Sequence, residues 1–305
     1  MTSAMPPESA ASRAKHDDAS DTDEFALQLS ARSGPGLMEG IDIRAAEGVM
    51  TIVIDRPESR NGLTVEHMRY IGDVCTWAED IDFVRCIVIT GSNGVFCSGA
   101  DLAGMDVSAP LGTPPVTVRS ADLYGPLLDL SKPTIAAVNG GAAGGGLGLA
   151  LSCDVRIASE QAKFATAFSR IGVPANDAVP WLLPRTVGLS RALELIYDTR
   201  AVDASEAAAI GLVSRVVPDD QLDAEVAELA GRFAAAPPYA VRFSKRLVLD
   251  GQSRSYRDFV MMQDYAQLAN QTAASHDVVE GVDAFLEKRS PRFVGPTADR
   301  SERGR

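Results

Sequence analysis

The alternation of apolar and polar positions sets the first expectations. Ile41 to Arg44 and Val49 to Asp55, separated by Glu47-Gly48, read as two strands around a tight turn. Between residues 65 and 79, Met68, Ile71, Val74, Cys75 and Trp77 recur at helical spacing. Cys86 to Thr90 and Pro133 to Val138 are short, continuously apolar runs, the pattern of strands covered on both faces. Val155 to Ala158 and Lys163 to Thr166 are further strand candidates. Strands alternating with helices predict an α/β fold.

The character changes after about Leu189. Residues 189–198, 203–211 and 219–235 carry helical patterns, and Asp203 with Glu206 has capping-box spacing. Pro237-Pro238 breaks the run, a further helix closes at Gly251, and two more helical segments follow up to Arg289. Leu212 to Val217 is a strand-like insert. The expected organisation is therefore a disordered tail over 1–36, a mixed core over 37–200, a helical region over 201–294 and a flexible tail over 295–305. The first segment is rich in Ala, Ser, Asp, Pro and Gly, with little periodicity. The Pro/Gly-rich stretch 103–130 is expected to be a loop bordering a ligand pocket. Asp106, Arg119, Asp122 and Tyr124 are its polar candidates.

Composition narrows the partners. The chain has 305 residues, 29 Lys+Arg against 41 Asp+Glu, and a formal charge of −12. That balance disfavours nucleic acid and anionic membrane surfaces, which require basic patches. The most apolar stretch, Thr134 to Leu151, is broken by Asn139 and a run of glycines, so it reads as strand, turn and helix and not as a membrane span. The N-terminus has no apolar core of a secretory signal and is too acidic for a transit peptide, so a cytoplasmic location is expected. Cys75, Cys86, Cys97 and Cys153 lack metal-type spacing, and His16, His67 and His276 lie far apart. No metal site is expected.

Two turns carry the chemistry. Asn139 to Gly148 (NGGAAGGGLG) follows an apolar strand and precedes an apolar segment. It fits neither a dinucleotide fingerprint nor a P-loop: Leu149 stands where the third glycine would fall, and no Gly-Lys-Ser/Thr follows. Consecutive glycines let backbone amides approach a ligand, and a following helix adds positive dipole there. Asn93 to Leu102 (NGVFCSGADL) repeats the strand-turn-helix arrangement, with Asp101 placed as a helix cap. Two such turns each presenting an N–H suit a two-donor oxyanion hole.

These residues resemble the enoyl-CoA hydratase/isomerase (crotonase) superfamily. The resemblance is carried by Ile54–Leu63 (IDRPESRNGL), Val95–Leu102 (VFCSGADL), Lys132–Gly148 (KPTIAAVNGGAAGGGLG), Cys153–Ala158 (CDVRIA), Leu182–Gly188 (LLPRTVG), Ala207–Val217 and Glu280–Arg289 (EGVDAFLEKR), in that order along the chain. It implies a ββα spiral core with a C-terminal helical trimerisation region, assembled as a homotrimer or as a hexamer of paired trimers. It implies an acyl-CoA thioester as ligand, with no tightly bound cofactor: coenzyme A enters as part of the substrate. By motif, the oxyanion donors fall on Ala100 and Gly145. Ser98 and Leu102 fall along the adenine and pantetheine path, beside Asp101. Arg60 and Lys288 are candidate cations for CoA phosphates, and Phe285 is a cover for the adenine from its own or a neighbouring subunit.

Two positions depart from the pattern that the resemblance implies for hydration. The two hydratase glutamates would fall on Gly148 and Phe168, and neither side chain transfers a proton. Isomerase-type members take one carboxylate from the segment after Phe164, and there Asp177 is the one carboxylate, with Asn176 at the spacing some isomerases fill with glutamate. Asp177 is the candidate base; the alternative is a cap for the helix that follows. Phe168 and Trp181 are candidates to line an acyl site. The readings in play are a hydratase or isomerase, a catalytically silent acyl-CoA-binding protein, and a hydrolase or decarboxylase on the same scaffold.

Overall fold

The computed structural model describes Phe25, Leu29 and residues 34–101, 120–273 and 275–295. Its larger sheet holds β1 (Ile41–Ala46), β2 (Val49–Ile54), β3 (Cys86–Gly91), β5 (Thr134–Val138), β7 (Val155–Ser159) and β10 (Arg215–Val217), side by side in that order. The smaller sheet holds β4 (Val95–Cys97), β6 (Gly141–Ala143), β8 (Lys163–Ala165) and β9 (Val202–Asp203). Three times the chain gives one strand to each sheet and then a helix, so β3-β4, β5-β6 and β7-β8 climb as a ββα spiral. The corners between sheets need close backbone approach. A Cβ on Gly140 would overlap the Gly94 carbonyl. Asn61 Nδ2 donates to the carbonyls of Ser92 (3.1 Å) and Val95 (2.7 Å), and Asn139 Nδ2 donates to Gly91 O (2.6 Å).

The helices are α1 (Val65–Glu79), α2 (Ser120–Asp129), α3 (Gly145–Ser152), α4 (Val179–Val187), α5 (Leu189–Asp198), α6 (Ala204–Ala209), α7 (Leu222–Ala234), α8 (Pro238–Gly251), α9 (Tyr256–Ala273) and α10 (Ser275–Glu287). Successive residues of β3 point to opposite faces. Ile87 and Ile89 enter the main core, while Cys86 and Val88 join a second core beneath Leu222, Val226, Leu229 and Ala230 of α7. Lys132 is 1% exposed, and its Nζ donates to Ala78 O (2.6 Å) and Ile81 O (2.7 Å), closing the end of α1. Burial, with Arg242 adding, pushes its ammonium down to about 7.

Three expectations change. The stretch 103–130 is helical over Ser120–Asp129 despite Pro126, and its earlier part lies outside the described residues. The N-terminal tail is not featureless: Phe25 and Leu29 are helical and buried, with the Phe25 ring 5.3 Å from Trp77 and 6.5 Å from Phe83. Apolar contact with α1 outweighs the polar composition around them. The capping box is half-formed. Asp203 accepts from Glu206 N (2.8 Å), but the Glu206 carboxylate pairs with Arg200. The helical C-terminal region is present, and α8 and α9 bury no residue fully within one chain. Among the described residues, no helix is long and apolar enough to cross a membrane.

Candidate active site

The first turn leaves β4 and runs Ser98-Gly99-Ala100-Asp101. It is held by a parallel bridge to Leu63, in which Leu63 N donates to Gly99 O (2.8 Å) and Asp101 N donates to Leu63 O (3.0 Å). In such a bridge the middle residue aims its own N–H to the other side, so the exposed Ala100 turns its amide away from Leu63. The second turn leaves β6 through Gly144, whose φ is 52°, and opens α3 at Gly145. The first N–H of a helix has no intrahelical acceptor, and it sits at the positive end of the dipole. The turns are in contact: a Cβ on Gly99 would lie 2.7 Å from Ala143 O and 3.0 Å from Gly145 N.

Arg56 rivets the first turn from below. Its guanidinium donates to Gly62 O and reaches Asp101 Oδ2 at 3.2 Å, and its own N–H donates to Asn61 Oδ1 (2.9 Å). Asp101 is thus tied to Arg56. The sequence reading singled out Arg60 in this segment and missed Arg56, although an Arg between a strand end and a proline was the available signal. Arg60 is exposed, with a left-handed backbone (φ 54°), and its carbonyl accepts from Ser98 N (3.2 Å). Ser98 Oγ donates to Ser59 O (3.1 Å). Leu102, Asp106 and Arg119 lie outside the described residues.

Asp177 and Tyr124 close over Gly145. A Cβ there would stand 3.0 Å from Asp177 Oδ2 and 2.9 Å from the Tyr124 hydroxyl, which donates to Gly145 O (3.1 Å). Asp177 does not cap α4. The cap position is Ala178, and no side chain bonds to the first turn. Left-handed φ values of 56° at Asp177 and 63° at Ala178 instead swing the carboxylate toward α3. Burial pushes its pKa above the usual carboxylate range. Tyr124 is 3% exposed, and burial, then Asp177 and Cys97, push its pKa well up, so it remains a proton donor.

The two positions without carboxylates are filled. A Cβ on Gly148 would overlap the Asp177 carbonyl oxygen and lie 3.4 Å from Tyr124 Cε1. Phe168 is buried, with its ring 3.9 Å from a Cβ on Gly144. Trp181 is 54% exposed, and Arg185 stacks 4.2 Å over its ring.

Phe285 and Lys288 are not brought to these turns within one chain. Phe285 lines a groove of about 500 Å³ with Pro237, Tyr239, Val282 and Phe293. Arg85, which immediately precedes β3, donates to Phe293 O (2.9 Å) and fixes that groove at the start of the strand. The turns stand beyond the other end of β3, roughly 20 Å away at 3.3 Å per residue.

A ββα spiral with two glycine turns meeting at a helix start, and one half-buried carboxylate above them, defines a crotonase-fold protein. Comparison with known proteins agrees. The enoyl-CoA hydratase/isomerase family profile matches residues 44–296. The 1,2-epoxyphenylacetyl-CoA isomerase of Escherichia coli K12 is 35% identical over 264 residues, which cover 85% of this chain and 100% of that protein. The crotonyl-CoA hydratase of Syntrophomonas wolfei is 34% identical, over 84% of this chain and 98% of its own. The crystal structure of the Bacillus anthracis enoyl-CoA hydratase superposes with a TM-score of 0.77 at 31% identity, covering 84% of this chain and 100% of that one. The chain belongs to the enoyl-CoA hydratase/isomerase family.

Proposed function

We propose that this protein is an acyl-CoA isomerase that moves a carbon–carbon double bond through a thioester enolate, with Asp177 as its base. The observation that carries this reading is the Asp177 carboxylate, 3.0 Å from a Cβ position on Gly145 and raised in pKa by burial, beside two positions, Gly148 and Phe168, that hold no acid. Hydration of the two-glutamate kind needs an acid at each of these positions, and the sequence offers neither. A single carboxylate suffices for isomerisation, because it takes and returns the same proton.

With a 3-enoyl-CoA, Asp177 removes a proton from carbon 2. The C–H electron pair forms the enolate, and the negative charge on the thioester oxygen is held by the N–H groups of Ala100 and Gly145. Such donors are each worth about 10²–10³ in rate. The dienolate then reforms the carbonyl, the double bond settles between carbons 2 and 3, and protonated Asp177 delivers its proton to carbon 4. Arg60 and Lys288 pair with CoA phosphates, Ser98, Asp101 and Leu102 border the thioester arm, and Phe285 covers the adenine from a neighbouring subunit of a homotrimer or hexamer. The protein works in the cytoplasm.

The test is turnover of a panel of 3-enoyl-, 2-enoyl- and 3-hydroxyacyl-CoAs by wild type and Asp177→Asn. Isomerisation of a 3-enoyl-CoA that is lost in the variant supports the reading. Turnover indifferent to Asp177 removes the base assignment. Binding of acyl-CoA without any turnover replaces the enzyme with an acyl-CoA-binding protein.

A further inference from the structure

Tyr124 packs against position 148, its Cε1 3.4 Å from the Cβ position there, beside the Asp177 carbonyl that fills that position. Its ring therefore lies along the first turn of α3. Its hydroxyl reaches Gly145, holds the Gly145 carbonyl at 3.1 Å and converges with Asp177 Oδ2 on the same point over Gly145. The ring is fixed on α2, an element separate from both glycine turns and from the Asp177 segment. Among the described residues, the Asp177 carboxylate has no hydrogen-bond or ion-pair partner of its own, so the neighbouring ring decides whether water reaches it from the α3 side.

We propose that Tyr124 is a positioning residue that screens Asp177 from water, so that the proton removed from the substrate is the one returned to it. The inference rests on Asp177 as the base. The ring provides the screen. The hydroxyl pins the Gly145 carbonyl and thereby the helix turn whose first amide faces the thioester oxygen. In the step concerned, the carbon 2–hydrogen bond breaks, its proton rides on the Asp177 carboxylate, and the same proton forms the new bond at carbon 4. Loss of the screen lets that proton exchange with solvent before delivery.

The experiment is isomerisation of a 3-enoyl-CoA in deuterium oxide by wild type, Tyr124→Phe, Tyr124→Leu and Tyr124→Ala, with label at carbon 4 read by mass spectrometry and NMR. Wild type is expected to deliver mainly protium. Tyr124→Phe keeps the ring, so its label stays near wild type while kcat falls about tenfold at little change in KM. Tyr124→Leu and Tyr124→Ala raise the label several-fold. The leucine variant preserves apolar volume in case alanine does not fold. Equal label in wild type and Tyr124→Leu, or full label in wild type, with Asp177→Asn inactive, overturns this inference alone. Wild type that isomerises nothing, or Asp177→Asn that isomerises normally, overturns the base assignment and this inference together.

Discussion

The carbonyl oxygen of Asp177 stands where the first side-chain carbon of any residue at position 148 would have to go. Gly148 is therefore required by the Asp177 segment, and the Asp177 segment is positioned by the freedom Gly148 gives. An acid cannot be returned to position 148 while the present base stays in place. Gly148→Glu is expected to lower stability by about 1–3 kcal/mol, the usual cost of forcing extra atoms into a packed site, and to abolish activity without creating a hydratase. Thermal unfolding and a 2-enoyl-CoA hydration assay check this; a stable variant that hydrates would remove the steric argument.

Burial raises the Asp177 pKa, and the base works only when ionised. Activity should therefore rise with pH through a pKa above the ordinary carboxylate value, and Asp177→Asn should lose about 10²–10⁴ in kcat. A carboxylate raised on folding opposes stability above its unfolded pKa. The asparagine variant is accordingly expected to melt at or above wild type at pH 7. A kcat/KM profile and a melting curve read both halves, and a large loss of stability would mark Asp177 as structural.

Lys132 gives the opposite pH window. Its folded pKa is pushed down to about 7 from 10.5, so between those values the unfolded chain binds the extra proton. Stability then rises with pH across that window. The melting temperature of wild type relative to Lys132→Met should climb from pH 7 to pH 9.5. A difference independent of pH would show that the buried amine stays charged on its two carbonyls.

Phe25 joins its segment to Trp77 of α1 and to Phe83 in the stretch that follows it. Phe25→Ala is expected to cost about 3–5 kcal/mol if the site cannot collapse, and less if the segment simply detaches. Protease cleavage before residue 34 should be faster in the variant. Unchanged cleavage and unchanged melting would mean that the contact contributes nothing in solution.

Much of the fold was legible because local pattern and tertiary role agree. The helix expected over 65–79 is Val65–Glu79, where Thr64 accepts from His67 N and the apolar positions face the core. The long strands of the larger sheet were readable for the same reason. The corner strands Val95–Cys97 and Gly141–Ala143 were not, since three residues carry no period and their pairing is with each other across 46 positions of chain. Helix 120–129 was hidden by Gly125 and Pro126, and it is held by packing against α1, where the Pro126 ring lies 3.2 Å from a Cβ position on Gly72. In the site, the glycines pointed to two donor turns, the family resemblance placed the donors on Ala100 and Gly145, and composition left Asp177 as the sole acid of its segment. Its aim depends on two consecutive left-handed residues, Asp177 and Ala178; Asp tolerates that region, but Ala178 does not favour it, so no local pattern announces the pair. Tyr124 was one loop candidate among four, and only the helix beneath it brings its hydroxyl to Gly145.

Phe285 and Arg60 stand at opposite ends of β3. On the proposed reading, one chain holds the thioester and, through Arg60, a phosphate, and the grip on the adenine comes from a second copy. Catalytic competence then becomes a property of concentration: specific activity should fall on dilution below the assembly's dissociation constant, and it should do so first at low substrate, where the second grip matters most.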